Sequence, residues 1–211
     1  MSWRQWIRTV EIEPAISAAD PSIVDAQVEA LLRTGCRVFH ARVGDDPAEL
    51  ELLRSLSPVV HRYDGILDVR AVGANPLAAF AAVAEAGGDS VTFQLEAVED
   101  VAGAIESARA LGLQAGVAFV DSTAPEEAVA HSGEADLFVC PGSDPGEQLR
   151  NLRRLARALP VDVPIQVAGG ITHDSVRELF DAGAKLLVVG TAIFEREDLP
   201  RAYRRLVQAL A

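Results

Sequence analysis

Two stretches of the chain set chemistry-bearing side chains two residues apart inside apolar runs: F-H-A-R at 39–42 and L-D-V-R at 67–70. In an extended strand, residues two apart point to the same face, so His40 and Arg42 share one direction and Asp68 and Arg70 share another. Histidine can move a proton near neutral pH. Arginine keeps its charge, so Arg42 and Arg70 cannot act as general bases. Their planar guanidinium groups instead suit a carboxylate, a phosphate or a developing oxyanion. Two such cations facing one centre are costly unless paired. Asp68 can satisfy one of them, and an anionic group on a ligand is a partner for the other. Gln94 and Glu96, in V-T-F-Q-L-E, extend the set, and Glu11 or Glu13 and Asp121 are further candidates. The structural alternatives are a hydrogen-bonded core histidine at His40 and an ion-pair layer made of Arg42, Asp68 and Arg70.

A second kind of signal comes from glycine. The run P-I-Q-V-A-G-G ends at Gly169 and Gly170, and V-V-G-T ends at Gly190 and Thr191. Each pair follows a short apolar strand and precedes a helical pattern. Glycine lets backbone N–H groups approach an anion without a Cβ in the way, and Thr191 adds a hydroxyl. Both pairs are therefore candidate phosphate contacts. His61, His131 and His173 fall in helices or loops; His173 follows the Gly-Gly turn but reads as a surface residue.

These residues need a frame. An amphipathic helix ending in glycine, followed by a β-branched run, recurs at Gly35, Gly87, Gly112 and Gly183. Glycine just past a helix supplies the left-handed cap. The runs that follow are continuously apolar, as in parallel strands covered on both faces. Strands are expected at 9–13, 37–41, 65–70, 90–94, 114–119, 137–140, 164–167 and 185–189, each followed by a helical segment. Eight such units predict a single (β/α)8 TIM barrel over residues 1–211. An open doubly wound sheet would need a Gly-rich turn after the first strand, and E-I-E-P-A-I-S-A-A-D is not one. In a barrel the working face lies at the strands' C-terminal ends, and a phosphate site often forms after strands 7 and 8. Both glycine pairs fall there.

Nineteen basic residues face 31 acidic ones, a formal charge of −12. Such a surface disfavours nucleic acid and anionic membranes as partners. Cys36 and Cys140 lie in apolar runs without metal-ligand spacing, as small buried hydrophobes do. No signal-peptide or membrane-spanning stretch is read, so a soluble, cytoplasmic protein is expected. Trp3 and Trp6 are expected to pack the closed end of the barrel or a contact between copies in a homo-oligomer.

The motifs then resemble the ribulose-phosphate 3-epimerase family along nearly the whole chain. E-P-A-I-S-A-A-D is similar to the family's opening P-S-I-L-S-A-D. F-H-A-R-V-G-D-D and L-D-V-R-A-V stand where the family has H-F-D-V-M-D-G and L-D-V-H-L-M. V-T-F-Q-L-E-A, L-G-L-Q-A-G-V-A-F and V-A-G-G-I through G-T-A-I-F also have counterparts, the last being the most specific. The resemblance implies the barrel and a phosphosugar ligand. It also implies a divalent metal held by two histidines and two aspartates, with the aspartates exchanging protons at the sugar's C3. Here those four positions hold His40, Arg42, Arg70 and Ala168. The serine near the start is Ala15, the histidine of H-V-E-A is Gln94, and the Gly-rich loop after strand 6 is shortened to D-P-G-E-Q.

Asp68-x-Arg70 further resembles the Asp-x-Lys of the sister enzymes 3-hexulose-6-phosphate synthase and 3-keto-L-gulonate-6-phosphate decarboxylase, which form an enediolate beside a phosphate-bearing chain. The combined reading is an enzyme of a phosphorylated sugar or sugar acid with no metal and no other cofactor: an isomerase, aldolase or decarboxylase. Its expected catalytic residues are His40, Arg42, Asp68 and Arg70. Gln94, Glu96, Gly169, Gly170, Gly190 and Thr191 are expected to bind substrate. The alternatives are an ordinary ribulose-5-phosphate 3-epimerase and a silent relative that binds a phosphosugar without turnover.

Overall fold

The structure, a computed structural model, describes residues 11–131, 134–142 and 144–210. Trp3 and Trp6, and the first two residues of the strand expected at 9–13, lie outside the described residues. Among the described residues eight strands are present: β1 (Glu11–Pro14), β2 (Val38–Val43), β3 (Ile66–Ala71), β4 (Ser90–Gln94), β5 (Gln114–Ala118), β6 (Leu137–Cys140), β7 (Ile165–Ala168) and β8 (Leu186–Val189). All pair in parallel in the order β1-β8-β7-β6-β5-β4-β3-β2, and a bridge from Ala15 to His40 brings β1 against β2. The sheet thus closes on itself as the expected (β/α)8 barrel. Predicted and observed ends of the fully described strands differ by two residues at most. The larger shift is in β2, which runs on to Val43 because it pairs with β3 through Arg42↔Arg70 and Val43↔Ala71.

Helices alternate with the strands: α1 (Val24–Arg33), α2 (Pro47–Arg62), α3 (Phe80–Glu85), α4 (Val101–Ala110), α5 (Pro125–His131), α6 (Pro145–Ala158), α7 (Val176–Asp181), the short α8 (Thr191–Phe194) and α9 (Leu199–Ala209). Four of them start at an aspartate whose carboxylate accepts a backbone N–H of the first turn: Asp46, Asp100, Asp144 and Asp198. A free N–H at a helix start needs such an acceptor. The glycines expected to end helices at 35, 87, 112 and 183 all have positive φ, between 83° and 117°. No helix among the described residues is long and apolar enough to cross a membrane.

The barrel interior is layered. Val38, Ala118, Leu137, Val139 and Leu186 form an apolar cluster separate from the main strand–helix core, with Ile66 packed on it. On β2 and β3, the next residues on the same face as Val38 and Ile66 are His40 and Asp68. Glu13, Asp68, Ser90, Thr92 and Gln166 are all fully buried. On β2 and β3 the interior therefore changes from apolar to polar toward the strands' C-terminal ends, where the barrel opens.

Gly116 on β5 makes room for this layer. A Cβ there would stand 2.2 Å from Thr92 Oγ1 and 2.9 Å from Leu137 Cγ. Gly116→Ala is expected to overpack the interior and to cost about 1–3 kcal/mol. Urea unfolding should show a lower midpoint with an unchanged slope.

Candidate active site

The polar layer centres on Asp68, which has no exposed surface. Its Oδ2 lies 2.9 Å from His40 Nδ1 and accepts from Gln166 Nε2 at 2.6 Å, while Oδ1 accepts from Ser90 Oγ at 2.6 Å. Burial alone would raise this carboxyl's pKa, but the bond and charge of His40 and the bonds from Ser90 and Gln166 outweigh it, leaving it lowered. An ionised Asp68 can only accept, so His40 Nδ1 carries the hydrogen of that bond. In the neutral ring Nε2 is then an acceptor, with no partner among the described residues. The His40 side chain is 12% exposed, the part of the cluster that reaches the mouth.

Gln166 Nε2 also donates to Glu13 Oε2 at 2.6 Å. Glu13 is as deeply buried as Asp68, and burial first, then the Asp68 charge, raises its pKa well above the ordinary glutamate value. Among the described residues, Glu13 Oε1, Gln166 Oε1 and Thr92 Oγ1 have no hydrogen-bond partner. Five strands thus build one cluster: β1 gives Glu13, β2 His40, β3 Asp68, β4 Ser90 and β7 Gln166.

A chain of polar contacts forms the rim. Arg70 donates to Gln94 Oε1 at 2.7 Å, and Gln94 Nε2 donates to Glu96 Oε2 at 2.6 Å. Glu96 Oε1 accepts from Val120 N at 3.0 Å and Thr123 Oγ1 at 2.5 Å. Burial pulls the Arg70 pKa down and the charges of Asp68 and Glu96 oppose it. Burial pushes Glu96 up, but the bonds from Thr123, Gln94 and Val120 prevail and lower it. No ion-pair contact ties Arg70 to a carboxylate among the described residues, so its partner is a neutral amide.

Arg42 does not join this centre. Its side chain is 61% exposed, and its Nε donates to Glu49 Oε1 at 3.3 Å at the start of α2. It stands one pleat beyond His40, where β2 reaches the rim, and Glu49 is already fixed there by the Gly44 N–H at 2.6 Å. The expected pair of inward arginines is therefore reduced to Arg70. Residues that sequence reasoning missed are Ser90 and Gln166. Each is a lone polar residue on the inward face of an apolar strand: Ser90 lies two before Thr92, and Gln166 two before Ala168.

The glycine pairs sit beyond this cluster. Gly169 and Gly170 have φ of 96° and 62°, a conformation that a side chain would strain, and are exposed with nothing within 4 Å of a Cβ. They line one groove with Gln148 and Thr172, while Thr191 lines another with Thr172, His173, Arg196 and Arg205. Gly190 lies under the loop after β1, where a Cβ would meet that of Ala18 at 3.1 Å.

The sequence profile of the ribulose-phosphate 3 epimerase family matches residues 11–194. A ribulose-phosphate 3-epimerase of Aquifex aeolicus is 26% identical over 212 residues, covering 92% of this chain and 94% of its own. A crystal structure of 3-hexulose-6-phosphate synthase superposes with a TM-score of 0.70 at 20% identity, covering 95% of this chain and 100% of that one. The orotidine 5'-phosphate decarboxylase of Pyrococcus horikoshii superposes at 0.69 with 15% identity, covering 94% and 98%.

The geometry separates braces from bystanders. Gln166→Leu removes the donor shared by two buried carboxyl groups and is expected to cost about 2–4 kcal/mol. Arg42→Ala breaks an exposed pair and is expected to change stability by less than about 1 kcal/mol. Urea midpoints at constant slope measure both.

Proposed function

The chain belongs to the ribulose-phosphate 3 epimerase family, and we propose that it is an enzyme of a phosphorylated sugar or sugar acid that moves a proton beside a carbonyl group. The supporting observation is His40, held by the buried Asp68 through Nδ1, in the same mouth as an Arg70 guanidinium with no carboxylate on it. Asp68 fixes the ring and its tautomer, so Nε2 faces substrate ready to take or give one proton. Arg70 stabilises the negative charge that develops on the carbonyl oxygen as an enediolate forms. Gln94 and Glu96 set the guanidinium's position and offer an amide and a carboxylate to sugar hydroxyls. The substrate phosphate is assigned to the backbone at Gly169–Gly170 and Gly190–Thr191.

The family's resemblance implies a divalent metal on two histidines and two aspartates. Those positions do not fit it here. Arg42 is turned to Glu49, Arg70 brings a positive charge, and Ala168 has no donor atom; only His40 is left. With Ala168 in place of the second aspartate, the proton exchange has one acid–base group rather than two. That favours isomerisation, aldol cleavage or decarboxylation over inversion at C3. The same substitutions motivate a reaction that does not use the family's metal.

The test is a panel of phosphorylated ketoses, aldoses and sugar acids in heavy water, read for turnover and for deuterium entering the carbon beside the carbonyl. His40→Gln should reduce kcat and deuterium entry more than it changes KM. Arg70→Met should lower kcat/KM by roughly 30-fold or more, since a charge-assisted contact in a dry site contributes about 2–4 kcal/mol. Efficient epimerisation of ribulose 5-phosphate by the His40→Gln protein would overturn the assignment.

The phosphate assignment has its own readout. Thr191→Val keeps shape and loses a hydroxyl, so it should weaken a phosphorylated ligand by about 5–10-fold, near 1 kcal/mol, while leaving the unphosphorylated sugar unaffected. Equal affinity in parent and variant for the phosphorylated ligand would place the phosphate elsewhere.

A further inference from the structure

We propose that the groove between the loop after β7 and helices α8 and α9 binds a second phosphoryl group, so that the ligand class is a sugar diphosphate rather than a monophosphate. The groove has a volume of about 490 Å³, and Thr191, Arg196 and Arg205 are among its lining residues. The first phosphoryl group is the one assigned above to Gly169–Gly170 and Gly190–Thr191, and the second rests on that reading. Thr191 belongs to both places, so a phosphate held at the glycines has the groove beside it.

The second group is marked by two arginines with nothing to hold. Arg196 follows α8 and Arg205 stands on α9; both are exposed, and neither side chain makes a hydrogen bond or an ion pair among the described residues. Other exposed arginines of this part of the chain are engaged, Arg177 with Asp181 at 3.0 Å and Arg154 with Glu126 at 2.6 Å. Two guanidinium groups that share one groove repel each other, and an anion between them relieves the repulsion. A monophosphate seated on the glycine backbone and the Thr191 hydroxyl needs neither of them.

The donors indicate a phosphoryl group rather than a carboxylate. Each guanidinium is a planar fork that takes two oxygens at once. A carboxylate has two oxygens and is filled by one fork, whereas a terminal phosphoryl group has three and can meet both. Asp174 and Glu195 also line the groove, but neither comes within ion-pair distance of these arginines. The Asp174 side chain is 99% exposed, with His173 Nδ1 at 3.4 Å, so its charge is screened by water. The wider charge agrees. From Pro145, where α6 begins, to the end of the chain there are ten basic and eight acidic residues, against nine and 23 before it. The part of the barrel around the groove is therefore positive within a chain of formal charge −12, and a polyanion is drawn to this side.

The protein, with a chelator present, is titrated by calorimetry with inorganic phosphate and with pyrophosphate at one ionic strength. Pyrophosphate is expected to bind one per chain and roughly tenfold or more tightly than phosphate. Arg196→Gln and Arg205→Gln should each remove most of that advantage and leave phosphate affinity within about twofold. Arg153→Gln, on the exposed face of α6, should change neither ion, which separates a site from a general positive field. Thr191→Val should weaken both ions. Equal affinity for the two ions overturns the proposal. So does a pyrophosphate advantage that survives in the Arg196→Gln/Arg205→Gln double variant. If the arginine variants act and Thr191→Val changes neither ion, the groove stands as a diphosphate site and the assignment of the first phosphate to Gly190–Thr191 falls.

Discussion

A carboxylate without exposed surface, Asp68, stands in the middle of the barrel. Taking an ionised carboxylate out of water costs several kcal/mol unless hydrogen bonds and charge replace the water. Three side chains do so, from β2, β4 and β7: His40, Ser90 and Gln166. Only a closed barrel brings residues so far apart in sequence to one atom pair. Closure and the carboxylate therefore support each other. The strands position the donors, and the carboxylate fixes the orientation of each donor that reaches it.

The same requirement explains the layering. Next to the carboxylate's cluster the interior is aliphatic, with Val38, Leu137, Val139 and Leu186 filling space without polar atoms. Around it the interior is polar and, among the described residues, satisfied except for Glu13 Oε1, Gln166 Oε1 and Thr92 Oγ1. Above it the side chains lengthen and reach water, as Arg70, Gln94 and Glu96 do. Chemistry at the strand ends thus rests on a polar floor packed against an apolar cluster. A substitution in the floor acts on both stability and His40, because the same bonds serve both.

Much of this was legible in the sequence and some was not. Helix caps and β-branched runs placed eight strands close to where they are, because glycine at a positive φ and continuous apolar runs are local properties. His40, Asp68 and Arg70 were readable as inward residues, since alternation along a strand is also local. Arg42 was not. Alternation gives it the inward face, but its strand has passed the rim, and a long side chain there follows the nearest acid, Glu49 on α2. That choice depends on the height of a residue in the barrel, which strand ends read from sequence miss by one or two residues. Gln166 escaped notice for another reason. A single amide in an apolar strand looks like tolerance until two buried carboxyl groups are known to meet it. Glu13 was in view only as one of two acids on its strand, and it is the hydrogen bond from Gln166 that identifies it as the member of the cluster.

The neutral link in the rim has a consequence for recognition. Were Arg70 paired directly with Glu96, its charge would be spent on a protein carboxylate, and an anionic substrate would have to displace that partner. Gln94 intervenes instead, taking one N–H of the guanidinium and passing its own amide hydrogen to Glu96. Glu96 is in turn held by Val120 and Thr123 at the far side of the mouth. The acid is thus satisfied without neutralising the cation. The guanidinium is held in place at one corner and keeps donors for a ligand at the others. Fixed donors of this kind cost little reorganisation when charge develops, which is the condition for stabilising an oxyanion more than the ground state that precedes it. Replacing Gln94 by an acid would keep the contact and lose that property, because the attraction that positions Arg70 would then compete with the substrate for the same charge.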